Sequence, residues 1–390
     1  MMMGKGKKKK ILFITNTGRF YHFEQNNVNL LLDLGVEVHF AANFTVEPID
    51  DVKPEGVILH QIDCTRAPLT KENRIAFKQL CKLMDQEKFD LIHCHTPVGG
   101  MLGRLLGHKY RKIGVKVIYS AHGFHFYKGA PKKLWGVIYP VEWGLSWMTD
   151  TLITINKEDY NRAHAHFHSH ELYYVPGVGI DIKKFNPHSI DAEKKRAEFD
   201  IGPEDIMLVA VGELNPNKNH QVLIKALSKI DNPKVKLCIF GIGGLKEKLL
   251  ALISRYNLQS RIKIVGYRRD INEIYQCADI FVFPSIREGL SAALMESMAC
   301  ACPVICTDIR GNNDLIDNGK GGYRISPFDV DQWIGAINKM VDQREKWKSF
   351  GNYNREKIQS SFSREIVLRK MKSIYGEYLD DGTWKKIAAT

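Results

Sequence analysis

Apolar residues along this chain come in short runs separated by longer amphipathic or polar stretches. In the first half the runs fall at 11–14, 37–41, 91–94, 116–120, 151–155 and 172–175. Each is followed by enough chain for a crossover helix, the arrangement of parallel βαβ units. The pattern breaks at Pro176-Gly177-Val178-Gly179, then at Phe185-Asn186-Pro187 and a charged stretch over 191–200. A second series starts at 206–211 and continues at 236–240, 263–265, 280–283, 303–307 and 322–325. The prediction is an α/β protein of two doubly wound, parallel-sheet (Rossmann-like) domains, 1–180 and 205–365, with a boundary near 176–204. The two face across a cleft at the carboxyl ends of their strands, where open α/β sheets bind ligands. Helices from Asp331 onward are amphipathic and rich in Trp, Phe and Tyr, so they need an apolar surface. The tail, 366–390, is expected to pack back on the first domain.

A chain of 390 residues accommodates two such domains. With 44% hydrophobic and 26% charged residues, extensive disorder is not expected. The start, MMMGKGKKKK then ILFIT, has the basic residues of a signal peptide, but the apolar run stops at Asn16 and Thr17 and reads better as a buried strand. No segment reaches the roughly 18 uninterrupted apolar residues of a membrane span. The expectation is a cytoplasmic protein, neither secreted nor membrane-spanning. The eight cysteines include no CxxC pair, so neither a zinc ribbon nor a disulfide framework is expected.

The net charge of +12 changes the picture of partners. It suits nucleic acid, an anionic membrane surface or a polyanionic substrate, or it is simply a solvated basic face. No nucleic-acid motif accompanies it, so no nucleic-acid partner is expected. The basic residues gather at Lys5 to Lys10, at His108-Lys109-Tyr110-Arg111-Lys112, and at Lys128, Lys132 and Lys133.

Candidate chemistry concentrates in Pro284-Ser285-Ile286-Arg287-Glu288-Gly289-Leu290-Ser291-Ala292-Ala293-Leu294-Met295-Glu296. A buried strand ends at Pro284, Gly289 permits an unusual turn, and Ser291 can cap a helix over 292–299. A helix N-terminus placed there suits a diphosphate or sugar hydroxyls. Glu288 and Glu296 can each accept hydrogen bonds from a diol, one at each end of an extended ligand.

This segment resembles the Glu-x7-Glu signature of retaining, two-domain (GT-B) glycosyltransferases of family 4, especially those of bacterial capsular and exopolysaccharide biosynthesis. The resemblance covers nearly the whole chain. It includes Asp90-Leu91-Ile92-His93-Cys94-His95-Thr96-Pro97, Ala121-His122-Gly123-Phe124-His125-Phe126, Tyr174-Val175-Pro176-Gly177-Val178-Gly179, Val211-Gly212-Glu213-Leu214, Val265-Gly266-Tyr267-Arg268 and Ile309-Arg310-Gly311-Asn312. The resemblance implies that Glu288 meets the transferred sugar and Glu296 the ribose, with the amides of Gly289, Leu290 and Ser291 at sugar or phosphate. The loop Gly266, Tyr267 and Arg268 would border the base. Lys218, after the strand ending at Gly212, would bind the diphosphate and neutralise the leaving group. Many members carry an arginine after that glycine; this chain has Glu213, leaving Arg287 or Arg310 as candidate substitutes. Gly241-Ile242-Gly243-Gly244 is no dinucleotide fingerprint, because Lys246 breaks G-x-G-x-x-G.

In the first domain the resemblance assigns His122 to the donor sugar, and His125 shares that role or bounds the acceptor pocket. The loop with Gly18 and Arg19 faces diphosphate and acceptor; Gly18 allows close approach, and Arg19 either pairs with an acceptor phosphate or lies on the surface. The implied chemistry is front-face attack with retention, without metal or cofactor beyond the nucleotide-sugar donor, UDP-linked by family habit. The acceptor implied is a polyprenyl-diphosphate-linked glycan at the cytoplasmic face of the membrane. Trp135, Tyr139, Trp143 and Trp147, at helical spacing beside Lys132 and Lys133, are either interfacial or core aromatics. His164, His166, His168 and His170, and the Asp329-Val330-Asp331 run, are set aside as metal sites. A nucleotide-sugar epimerase and a non-catalytic sugar-nucleotide-binding partner of the same fold are the alternatives.

Overall fold

The computed structural model describes residues 8–49, 55–187, 190–380, 382 and 384. Lys5 to Lys7 of the N-terminal basic cluster lie outside the described residues. The chain divides into two compact units, Met1–Val178 with Glu365–Thr390, and Gly179–Arg364.

The first unit holds β1 (Lys10–Ile14), β2 (Glu37–Ala42), β3 (Val57–Gln61), β4 (Leu91–His95), β5 (Lys116–Ala121), β6 (Thr151–Thr154) and β7 (Glu171–Tyr174). Their order is β3-β2-β1-β4-β5-β6-β7, with every neighbouring pair parallel. Ile11, Leu12, Phe13 and Ile14 are all fully buried, because a parallel sheet covered on both faces leaves no polar side to a strand. The period of two survives as a division between cores. Leu12, Ile14, Ile92, Cys94 and Val117 join one cluster, while Ile11, Phe13, Val38, Leu91 and Ile118 join the other.

Helix Pro97–Tyr110 lies unusually close on the sheet. A Cβ at Gly100, Gly103 or Gly107 would come 2.3 Å from Tyr119, 2.5 Å from Cys94 and 2.0 Å from Val117, respectively. The C-terminal helix Arg364–Leu379 supplies Val367, Met371, Ile374, Tyr375 and Leu379, one helical face, to the opposite core. Its Tyr375 hydroxyl lies 2.8 Å from His93 Nδ1, and its Tyr378 hydroxyl 2.6 Å from Thr151 Oγ1.

The second unit holds β8 (Ile206–Val211), β9 (Val235–Phe240), β10 (Ile262–Gly266), β11 (Ile280–Phe283), β12 (Val304–Thr307) and β13 (Gly322–Ile325), in the order β10-β9-β8-β11-β12-β13, again all parallel. Of the stretch read as a boundary, 176–204, the described residues from Gly179 onward belong to this unit. Phe185, Phe199 and Ile201 pack in the same core as Met207, Phe240 and Phe281. The Pro-Gly punctuation marks only the turn where Gly177 and Gly179 take positive φ, 68° and 71°.

Every predicted run carries a strand, and β3 is an addition. It is an edge strand with Ile58 45% and Leu59 41% exposed, so Val57-Ile58-Leu59 sits half in solvent instead of in a core. In each sheet the order reverses once, between β1 and β4 and between β8 and β11. Loops diverge at such switch points and leave room for a ligand beside the carboxyl ends of the strands.

Candidate functional site

In the second unit the loops after β8 and β11 meet. Ile286 N–H donates to the Asn217 carbonyl at 2.8 Å, and Asn217 Nδ2 to the Arg287 carbonyl at 2.9 Å. Across this seam Lys218 Nζ lies 2.7 Å from Glu288 Oε1, with side chains 20% and 14% exposed. The Lys218 stem crosses Gly212, where an added Cβ would come within 3.1 Å of it. The ammonium also lies 4.9 Å from the Phe283 ring centre. Glycine at 212 therefore makes room for the lysine to reach the end of β11.

Ser291 caps helix Ala292–Ala299 as its sequence context predicts: its backbone is extended and its hydroxyl accepts from Leu294 N–H at 3.3 Å. Gly289 departs from expectation. It is not among the positive-φ glycines, whereas Gly311 is, at φ 82°. A Cβ on Gly311 would stand 2.4 Å from the Gly289 carbonyl, so the special backbone belongs to the loop that packs against Gly289. Arg310 braces the same loop, its Nε donating to the Glu288 carbonyl at 3.1 Å. Arg287 and Glu213 are exposed. The carboxylate replacing the usual arginine thus points to solvent, and the charged partner of Lys218 is Glu288.

Glu296 accepts from the buried Tyr275 hydroxyl at 3.2 Å, and burial pushes its carboxyl above the usual range. Gly266 takes φ 98° and leaves Tyr267 70% exposed. The Arg268 guanidinium is tied to Asp270 at 2.6 Å and Glu198 at 2.8 Å, so this loop offers a ligand its backbone and Tyr267.

In the first unit, His122 follows β5 and belongs to a buried cluster that sequence reasoning missed. Its Nε2 lies 3.2 Å from His95 Nδ1, and Glu24 Oε1 stands 3.4 Å from His95 Nδ1 and 3.9 Å from His122 Nε2. Glu24 comes from helix Tyr21–Asp33 and has no lysine or arginine partner among the described residues; Asn27 Nδ2 donates to its Oε2 at 2.8 Å. Burial raises the Glu24 carboxyl to about 8 and lowers His122 to about 4 and His93 to about 3, with His95 also held well below its usual value. Burial thus favours the uncharged form of each of these groups. Their ligating atoms lie within 4.8 Å of one another, a spacing a divalent cation would also accept, as would that of Glu37, His39 and Glu87.

Beside this cluster a pocket opens, lined by His122, Gly123, Phe124, His125, Thr96, Pro97, Tyr119, Ile138 and Glu142. Thr96, which caps helix Pro97–Tyr110 through Oγ1, holds φ 63°, a left-handed conformation costly for a β-branched residue. Glu142 is paired at 2.8 Å with buried Arg104, whose guanidinium sits 3.9 Å from the Tyr119 ring centre.

Gly18 is close to the protein itself: a Cβ there would meet Phe44 at 2.5 Å and the Glu47 carbonyl at 2.8 Å. Arg19 is exposed. Trp135 and Tyr139 pack against the core, whereas Trp143 and Trp147 are 42% and 58% exposed, which splits the aromatic stripe between the two readings. His168 stacks on Trp147 with ring centres 4.0 Å apart, and Asp329 caps helix Val330–Asp342.

Comparison with known proteins places this geometry. Residues 10–156 match the family described as glycosyl transferase 4-like, and residues 191–357 match glycosyl transferases group 1. The chain is 36% identical over 386 residues to EpsD of Bacillus subtilis (strain 168), named as a glycosyltransferase, covering 97% of this chain and 99% of that protein. It is 30% identical over 325 residues to the UDP-Gal:alpha-D-GlcNAc-diphosphoundecaprenol alpha-1,3-galactosyltransferase of Escherichia coli, covering 80% and 81%. Among solved structures, sucrose-phosphate synthase from Thermosynechococcus elongatus aligns with a TM-score of 0.78 at 18% identity over 98% of this chain and 100% of that one. Anabaena Alr3699/HepE in complex with UDP and glucose aligns with a TM-score of 0.74 at 16% identity over 95% and 100%; at such identities the likeness is one of fold.

Proposed function

Since the chain belongs to the group 1, family 4-like glycosyltransferases, we propose that it moves a hexose or N-acetylhexosamine from a UDP-sugar, with retention, to a polyprenyl-diphosphate-linked glycan in polysaccharide biosynthesis. The observation that carries this reading is the Lys218–Glu288 pair beside the Ser291-capped helix. A diphosphate outcompetes one carboxylate for the ammonium, so donor binding turns Lys218 to phosphate and frees Glu288 to accept from sugar hydroxyls. The amides of Gly289, Leu290 and Ser291 add the positive end of the helix. Glu296 takes the ribose hydroxyls, Gly266 to Arg268 border the base, and His122 contacts the donor sugar.

In the transfer step the acceptor hydroxyl oxygen bonds to the anomeric carbon from the face the leaving group departs. The bond from that carbon to the β-phosphate oxygen breaks, its electrons stay with UDP, and a donor phosphate oxygen takes the acceptor's proton. Lys218 and the helix N-terminus stabilise charge that grows on UDP, so the reading needs no metal.

A lipid-linked acceptor is supported by the names of two relatives, the E. coli enzyme above and a Campylobacter jejuni transferase, both acting on diphospho-undecaprenol substrates. No helix among the described residues is long and apolar enough to cross a membrane. Helix Lys132–Ser146 and the residue after it expose Val137, Val141, Trp143 and Trp147 near Lys132 and Lys133, a face suited to peripheral contact with an anionic bilayer. Vesicle sedimentation checks this, and equal capture by neutral and anionic lipid removes it. The catalytic reading is tested by acceptor-dependent UDP release in Lys218→Ala and Glu288→Gln; undiminished turnover in both discards the site.

A further inference from the structure

Glu24 and His95 take no part in the transfer step, yet both stand against His122, the residue assigned to the donor sugar. His95 is fully buried, its ring stacked on Phe13 with centres 5.9 Å apart, and its Nε2 has no hydrogen-bond partner among the described residues. Its Nδ1 faces two atoms, His122 Nε2 at 3.2 Å and Glu24 Oε1 at 3.4 Å. With both rings neutral, one proton lies between Nδ1 and Nε2.

If His122 supplied that proton, the His95 proton would sit on Nε2 as an orphaned buried N–H, a rare and costly state. If His95 supplies it, Nδ1–H points at two acceptors together, and only a bare ring nitrogen is left in the apolar core. The second arrangement satisfies more groups.

We infer that Glu24 and His95 are positioning residues that fix His122 in the tautomer carrying its proton on Nδ1, so that His122 presents an N–H donor to its ligand. Nδ1 makes no hydrogen bond to any described residue, and the side chain is one quarter exposed. His122 is therefore a hydrogen-bond donor to a sugar or phosphate oxygen and does not take the acceptor's proton, which agrees with a step in which phosphate takes it. His93 is engaged separately, by Tyr375 and Ser120, each at 2.8 Å. The inference rests on the proposed function only for the identity of the ligand.

The test is nitrogen NMR on full-length protein labelled in histidine and kept in chelator, with His122 assigned by loss of its signals in His122→Asn. The expected result is a protonated, pyrrole-like Nδ1 and a pyridine-like Nε2. The reverse pattern in wild type overturns the inference without recourse to any variant. His95→Asn, whose amide N–H can take the place of Nδ1–H, is expected to keep the tautomer. His95→Phe is expected to abolish the preference and lower kcat by about tenfold to 100-fold, the scale seen when outer-shell partners are removed; an unchanged His122 pattern in a folded His95→Phe protein also overturns it. If the tautomer is as inferred while His122→Ala transfers normally, the role of His122 in transfer fails and the tautomer stands.

Discussion

The two sheets end in sites of opposite electrostatic character. In the first unit, Glu24 and His95 are fully buried and His122 three-quarters covered, and burial favours the uncharged form of all three. In the second, Lys218 and Glu288 form an ion pair at 2.7 Å, and each side chain retains some contact with solvent. Burial without a counter-charge favours the neutral form, while a close partner and residual water favour the ionised one. A neutral cluster orients a hydrogen bond, and a charged pair can be exchanged for a diphosphate. Substitutions in each site test that division of labour.

The largest effect is expected where the first unit does bury charge. Arg104→Met leaves Glu142 unpaired in the interior and should cost about 3–5 kcal/mol of stability, read by denaturant unfolding. The double variant with Glu142→Leu should recover most of that loss; if it does not, the pair is not an isolated unit. Next, Lys218→Ala should lower kcat by roughly 10²–10³, the scale of removing a preorganised charge from a developing anion. Stability should change little, since a partly solvated pair contributes about 0–1 kcal/mol.

The pH dependence of stability separates the two sites more finely. Glu24 stays protonated in the folded protein up to about 8, whereas in the unfolded chain it ionises near the ordinary carboxylate value of 4.5. Across that window the unfolded chain has released a proton the folded one still holds, so this group makes stability fall as pH rises and level off above about 8. Glu24→Gln should remove the slope, so the variant gains melting temperature over wild type at pH 8 and little at pH 5. Equal gains at both pH values would place the Glu24 carboxyl elsewhere. The smallest effect is local: Ser291→Ala should cost about 1 kcal/mol through the lost cap, with weaker UDP binding by calorimetry.

What was legible in the sequence follows the range of each interaction. Strands such as β1 and β11 were readable because both faces are buried and the apolar run itself is the signal. The Ser291 cap was readable because its partner, Leu294, is three residues away. β3 was missed because Ile58 and Leu59, two of its three apolar residues, face solvent at a sheet edge. Glu24 and His95 were missed because nothing local sets an acid on helix Tyr21–Asp33 beside histidines at the ends of β4 and β5; only helix-on-sheet packing does. His93-x-His95 was visible as a motif, and a glutamate among apolar helix positions was the remaining hint. The pairing of Lys218 with Glu288 crosses 70 residues, and so followed from the strand order, not from the loop sequence.

The most direct test of the central claim measures UDP release by full-length protein from a panel of UDP-sugars, with and without a polyprenyl-diphosphate-linked sugar, in wild type and Lys218→Ala. Acceptor-dependent release is expected for one donor, matched by a glycosylated lipid of retained anomeric configuration and reduced roughly 10²–10³-fold in the variant. Release that ignores the acceptor, or that survives intact in Lys218→Ala, would contradict the claim.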